Sequence, residues 1–204
     1  MVWIKDYNMF FIHIPKNGGS AIESMFGLEW IDYEAYSDIM YSSLVNAIEQ
    51  THITAKMLKK MYPDVYNNTE KFAIVRNPYE RMVSEYFWRN ANGDKRLIDT
   101  TKATFHEFIM FIKEKMPEIM RCPHYEKSHF LSQKNYVDRN VRVFKYENFK
   151  ECIDFVKKRC NIIEDPEVVN KSEHEHYENY YTKEIKDIVY ELYECDFHVF
   201  GYNK

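Results

Sequence analysis

The chain has 204 residues, of which 45% are hydrophobic and 17% aromatic, a balance that excludes a disordered protein and favours one domain, 1–204, with a sizeable core. The net charge of -4 excludes a general nucleic-acid binder, which needs a basic footprint, but leaves room for a local patch that meets an anionic substrate. Four cysteines, Cys122, Cys152, Cys160 and Cys195, lack C-x-x-C spacing and read as reduced, mostly structural thiols.

The N-terminal apolar run is too short for a signal peptide, and no run approaches the ~20 residues that span a bilayer. A soluble, cytoplasmic chain with no membrane span is therefore expected. Phe10, Phe11, Ile12 and Ile14 have the bulk of a buried strand, which Pro15 stops because it has no N–H to donate. Gly18 and Gly19 then permit backbone angles closed to other residues, and Ser20 opens a helix. A strand, a phosphate-sized turn and a helix start follow one another, with Lys16 adding a positive charge. Ser20 and Glu23 equally fit a capping box that satisfies helix-end donors without a ligand. The order is not that of a Walker A loop, because Lys16 precedes the glycines.

Further on, Trp30-Ile31 reads as a short strand and Ser43 to Glu49 as a weak helix. Thr54 to Tyr62 is helical and ends at Pro63, and Phe72 to Val75 is a second strand. Asn77 caps and Pro78 opens a helix reaching about Asn90. Its apolar stripe of Met82, Val83, Tyr86 and Phe87 leaves Arg81, Ser84 and Trp88 on another face. Thr104 to Met116 is amphipathic and closed by Pro117. Residues 121–140 are polar and suit an irregular or short-helical rim, Val141 to Tyr146 is a third strand, and Phe149 to Cys160 and Thr182 to Tyr193 are helices. Three apolar strands separated by helix-length segments predict an α/β fold with a mainly parallel central sheet flanked by helices. Ligands in such sheets bind at the carboxyl ends of the strands.

Arg76 and Ser84 make a sensible phosphate clamp, because a guanidinium takes phosphate oxygens two at a time. His52 is suited to proton transfer near neutral pH. His124, His129, Gln133 and Lys134 lie in the polar rim as candidate acceptor contacts, although a solvated loop explains them equally well. His174 and His176 have no matching third ligand, so no metal is expected.

Taken together, Pro15-Lys-Asn-Gly-Gly-Ser20 after one strand and Arg76-Asn-Pro-x-x-Arg-x-x-Ser84 after the next closely resemble the sulfotransferases that use 3'-phosphoadenylyl sulfate (PAPS). The likeness is to their carbohydrate group, heparan or chondroitin 2-O-like, and it continues through Arg142 to Phe149, Val169 to Ser172 and Tyr180 to Tyr202. It implies a three-layer P-loop-like fold. It also implies that Lys16, Asn17, Gly18, Gly19, Ser20 and Ala21 hold the 5'-phosphosulfate and that Arg76 and Ser84 hold the 3'-phosphate. Lys16 would stabilise the departing oxygen, and His52 would be the base; Glu23 is the rival, since one branch of the family uses a Glu in its first helix. The sulfuryl group would pass from PAPS to an acceptor hydroxyl, most readily on a glycan, releasing 3',5'-adenosine bisphosphate (PAP) without a metal. Asn17 and Ser20 depart from a pattern in which Thr often stands, and both remain polar. Relatives in the Golgi carry an anchor, so a lumenal location is the alternative for a fragment lacking one. Two other classes stay open: an ATP-dependent phosphotransferase of P-loop type and a catalytically silent glycan- or nucleotide-binding module.

Overall fold

The computed structural model describes residues 2–27, 52–93, 95, 97–121, 128–166 and 174–204. The features expected at Trp30-Ile31 and Ser43 to Glu49, and the residues Cys122 and His124, lie outside the described residues. The chain forms two compact units, Met1–Val75 with Asn135–Asn170, and Arg76–Lys134 with Lys171–Lys204.

The first unit holds a four-stranded sheet whose spatial order is the chain order: β1 (Val2–Ile4), β2 (Met9–Ile12), β3 (Glu70–Val75) and β4 (Val141–Lys145). β2, β3 and β4 run parallel, with Ile12 opposite Ala73 and Phe72 opposite Arg142. The mainly parallel α/β arrangement expected from the sequence is therefore present. β1 was not foreseen. It pairs antiparallel to β2 through a tight turn in which Asn8 takes a left-handed conformation. Every residue of β2 is buried, which explains its unbroken apolar run, since a strand covered on both faces cannot alternate.

Around the sheet, the described helices of this unit are α1 (Gly19–Ser24), α2 (Ala55–Met61), α3 (Pro63–Asn68) and α6 (Phe149–Cys160). Cys152, Ile153, Val156 and Cys160 recur on one face of α6, as the helical period requires. They share a core with Ile22 of α1 and with Met9, Phe11, Phe72 and Ile74 of the strands. Phe72 sits at its centre, with ring centroids 5.0 Å from Phe11 and 5.6 Å from Phe155. Thr54 caps α2 by accepting from the Met57 N–H at 3.1 Å. Pro63 does not simply stop this helix, because it is the first residue of α3, where its missing N–H has no intrahelical partner to lose.

The second unit is helical, built from α4 (Pro78–Ala91), α5 (Phe105–Arg121) and α7 (Lys183–Phe200), with a short 3-10 turn at Tyr177–Tyr180. Asn77 caps α4 as expected, accepting from the Tyr79 N–H at 2.9 Å. α5 runs one turn past the expected stop and carries Pro117 inside it. α7 is also longer than expected, continuing through a non-helical Tyr193 to end at Gly201 in a left-handed cap. Its core is aromatic: Tyr79 packs on Phe197 at 4.9 Å and on Tyr181 at 5.1 Å, and the Tyr181 hydroxyl donates to the Tyr79 carbonyl. Burial raises the Tyr79 hydroxyl to about 12.

Candidate functional site

The turn that leaves β2 is built for close approach. His13, Ile14 and Pro15 are buried, and the backbone then turns left-handed at Lys16 (φ +68°) and again at Gly18 (φ +78°). For a lysine this conformation costs about 1 to 2 kcal/mol, so something must hold it. Asn17 supplies part of that hold: its buried side-chain amide donates to the Ile74 carbonyl of β3 at 2.7 Å, fastening the turn to the neighbouring strand. Both glycines are required by contact. A Cβ on Gly18 would lie 2.9 Å from the Tyr146 ring, and one on Gly19 would lie 2.2 Å from His13 Nε2.

The capping box suggested by Ser20 and Glu23 does not form. α1 begins at Gly19 with Gly18 as its cap and no side-chain capping bond. Glu23 instead turns inward, its Oε1 accepting from His13 Nδ1 at 2.8 Å with both side chains buried. Burial raises the Glu23 carboxyl, but the charge and hydrogen bond of His13 outweigh this and hold it lowered to about 2. A carboxylate so stabilised is a poor proton acceptor near neutral pH. His52 stands beside this pair, only 7% exposed. Its Nδ1 donates to the His13 carbonyl at 3.1 Å, and its ring meets the His13 ring edge to face at 4.9 Å. Lys16, Ser20 and Ala21 are half-buried in the same unit.

In the second unit Arg76 is set by a two-sided clamp. Its N–H donates to Gln133 Oε1 at 2.9 Å and its carbonyl accepts from Gln133 Nε2 at 2.8 Å. Gln133 is itself held, because the fully buried Asp196 accepts from the backbone N–H groups of Gln133 and Lys134 and from the Ser132 hydroxyl. The Arg76 guanidinium reaches Glu80 at 3.2 Å, and Ser84 is buried one turn further along α4.

The polar rim expected in this unit is corrected in part. Arg81, on the helix face away from the apolar stripe, is buried and donates to the carbonyls of Leu131 and His129. His129 and Gln133 belong to the interior rather than to a rim. His129 Nδ1 lies 2.9 Å from Glu85, which also pairs with Arg89, and Gln133 carries the clamp. Of the acceptor candidates, Lys134 stays half-buried with its backbone tied to Asp196.

Sequence reasoning gave no role to His13, and it saw Asp196 only as part of the closing segment that resembles the family. Their partners, 10 and 64 residues away, give both residues meaning. Among the described residues no group of three or more His, Cys, Asp or Glu side chains could hold a metal ion, and no helix is long and apolar enough to cross a membrane.

Comparison with known proteins agrees with the two motifs. Neither a curated protein nor a solved structure matches the chain significantly. A family model described as the sulfotransferase family matches residues 1–203, which takes in the Lys16 turn, the Arg76 segment and the Asp196 helix. The chain belongs to the sulfotransferase family.

Proposed function

We propose that this sulfotransferase draws its sulfuryl group from PAPS and delivers it to a hydroxyl of a carbohydrate. The observation that carries the reading is the strained turn at the carboxyl end of β2, where left-handed Lys16 and Gly18 bracket Asn17. Left-handed residues in such turns gather backbone N–H groups around an anion, and the Lys16 ammonium adds the charge that a phosphosulfate would meet. When bound, PAPS supplies an activated sulfuryl group and leaves as PAP. The bond broken is the bridging S–O of the phosphosulfate, and the bond formed joins sulfur to the acceptor oxygen.

The chain's own residues divide the work. Lys16, with the backbone of Asn17, Gly18, Gly19, Ser20 and Ala21, binds the 5'-phosphosulfate, and Lys16 faces the charge that grows on the departing oxygen. Arg76 and Ser84 take the 3'-phosphate, Arg76 exchanging its contact with Glu80 for the ligand. His52 accepts the acceptor's proton. Glu23 is set aside as the base because its carboxyl is held lowered to about 2 by its bond to His13. The family match runs through both units, which supports treating 1–204 as one catalytic domain.

Thermal unfolding with nucleotides tests the donor. PAP at about 100 times its Kd stabilises by about 2.7 kcal/mol, whereas ATP with Mg²⁺ does not. The reverse preference would point to phosphoryl transfer. Incubation with ³⁵S-PAPS and hyaluronan, desulfated chondroitin, desulfated heparin or p-nitrophenol tests the acceptor. Label on a glycan is expected, and label confined to the phenol would overturn the carbohydrate assignment.

A further inference from the structure

We propose that the buried pair Glu23 and His13 is a positioning device for His52, fixing both the direction of its ring and the nitrogen that accepts the proton. The proposal rests on reading His52 as the base. Three chain segments converge on it: the extension of β2 brings His13, α1 brings Glu23, and the residues before α2 bring His52.

His13 is immobilised on every side for which a contact is known. Its Nδ1–H is given to Glu23, its ring lies 5.7 Å from that of Phe11 in a stacked arrangement, and its Nε2 edge fills the space left by Gly19. A ring so confined offers His52 a fixed wall. His52 uses the same residue twice, donating Nδ1–H to the His13 carbonyl and packing its ring edge to face against the His13 imidazole. With Nδ1 carrying the proton, Nε2 becomes the basic nitrogen. The carboxylate of Glu23 stays ionised behind His13 and holds that ring in place through its Nδ1–H. The titratable groups of this cluster include Glu23 from α1 and His13 from the strand extension, and the charge of the amino terminus also acts on Glu23.

The same packing ties the base to the turn. Gly19 can approach His13 only because it has no side chain, so the helix start that follows Lys16 and the ring that seats His52 share one contact. A shift in either displaces the other.

Long-range ¹H–¹⁵N correlation on the ligand-free protein tests the proposal without any substrate. His52 protonated at Nδ1, and His13 protonated at Nδ1, are expected; His52 protonated at Nε2 would overturn it. Glu23→Leu should mix the two His52 tautomers and lower kcat for ³⁵S transfer to the best acceptor of the panel at least tenfold, with KM for PAPS changed less than threefold. Glu23→Gln, whose amide oxygen still accepts from His13, should restore a single tautomer and most of that loss. A merely structural pair would lower the melting temperature in Glu23→Leu and leave the His52 tautomer and kcat intact, which would sink the proposal. His52→Ala separates the two readings. If it keeps wild-type turnover, the base assignment fails whatever the spectra show; if it loses turnover while Glu23→Leu keeps it, the positioning role alone fails.

Discussion

The Lys16 turn and the Arg76 segment each present a cation just after a strand, yet they are held in opposite ways. The turn is held locally, by two glycines that admit aromatic and imidazole rings against the backbone and by Asn17 reaching the adjacent strand. Arg76 is held from a distance, by Gln133 and, behind it, Asp196, which lie 57 and 120 residues further along the chain. In both cases a side-chain amide bonds to the main chain, doing at a strand exit what a neighbouring strand would otherwise do. The difference teaches where each will fail. Steric crowding tolerates no substitution, whereas a polar clamp degrades bond by bond.

The largest effect is expected at Gly19. Its added Cβ in Gly19→Ala would meet the buried His13 ring at 2.2 Å, and overpacking of this kind costs about 1 to 3 kcal/mol. Transfer activity should be lost altogether, since the turn and His13 both move; a variant with normal melting and normal turnover would show that the crowding is not real. Asp196→Ala should come next. It strands three donors, the buried Gln133 N–H and the half-buried Ser132 hydroxyl and Lys134 N–H, and should lower stability by about 3 kcal/mol in denaturant titration, while Asp196→Asn recovers part of this. Equal stability of the alanine and asparagine variants would contradict the clamp.

A third measurement separates the units by pH. The folded-state Glu23 carboxyl is depressed from 4.5 to about 2, so its contribution is complete above the ordinary carboxylate range and is lost as pH falls through the interval to about 2. Glu23→Gln should flatten that part of the acid unfolding curve, and an unchanged curve would mean that His13 does not stabilise the carboxylate. Gln133→Ala is the mildest of these changes. It frees the Arg76 peptide without touching its guanidinium, so PAP affinity by calorimetry should fall about tenfold, about 1.4 kcal/mol, with a smaller loss of fold stability than Asp196→Ala, since it strands one N–H and one carbonyl that are half-buried. An unchanged affinity would show that Arg76 needs no aiming.

The same contrast decides what was legible beforehand. β2, β3, β4 and α6 could be read closely, because the doubly covered β2 and β3 are unbroken apolar runs, α6 repeats its apolar residues on one face, and the half-exposed β4 still concentrates Val141, Val143 and Phe144. The Lys16 turn was legible for the same reason, its glycines and lysine being neighbours in sequence. β1 escaped notice because three residues carry no period, and Pro117 misled because α5 continues past it. The polar stretch around His129 and Gln133 was misjudged more deeply. Composition gave it to solvent, but Glu85, Arg76 and Asp196 satisfy its polar groups inside the fold, and partners that distant leave no local signal.

One last consequence follows from the backbone of Lys16. An L-residue with a side chain at φ +68° is a standing liability, and glycine would remove it at no steric cost. Lys16→Gly should therefore melt higher than the wild type, by the equivalent of about 1 kcal/mol, and catalyse nothing. The protein would be sturdier for losing the charge proposed to meet the donor, a trade between endurance and work made at a single peptide.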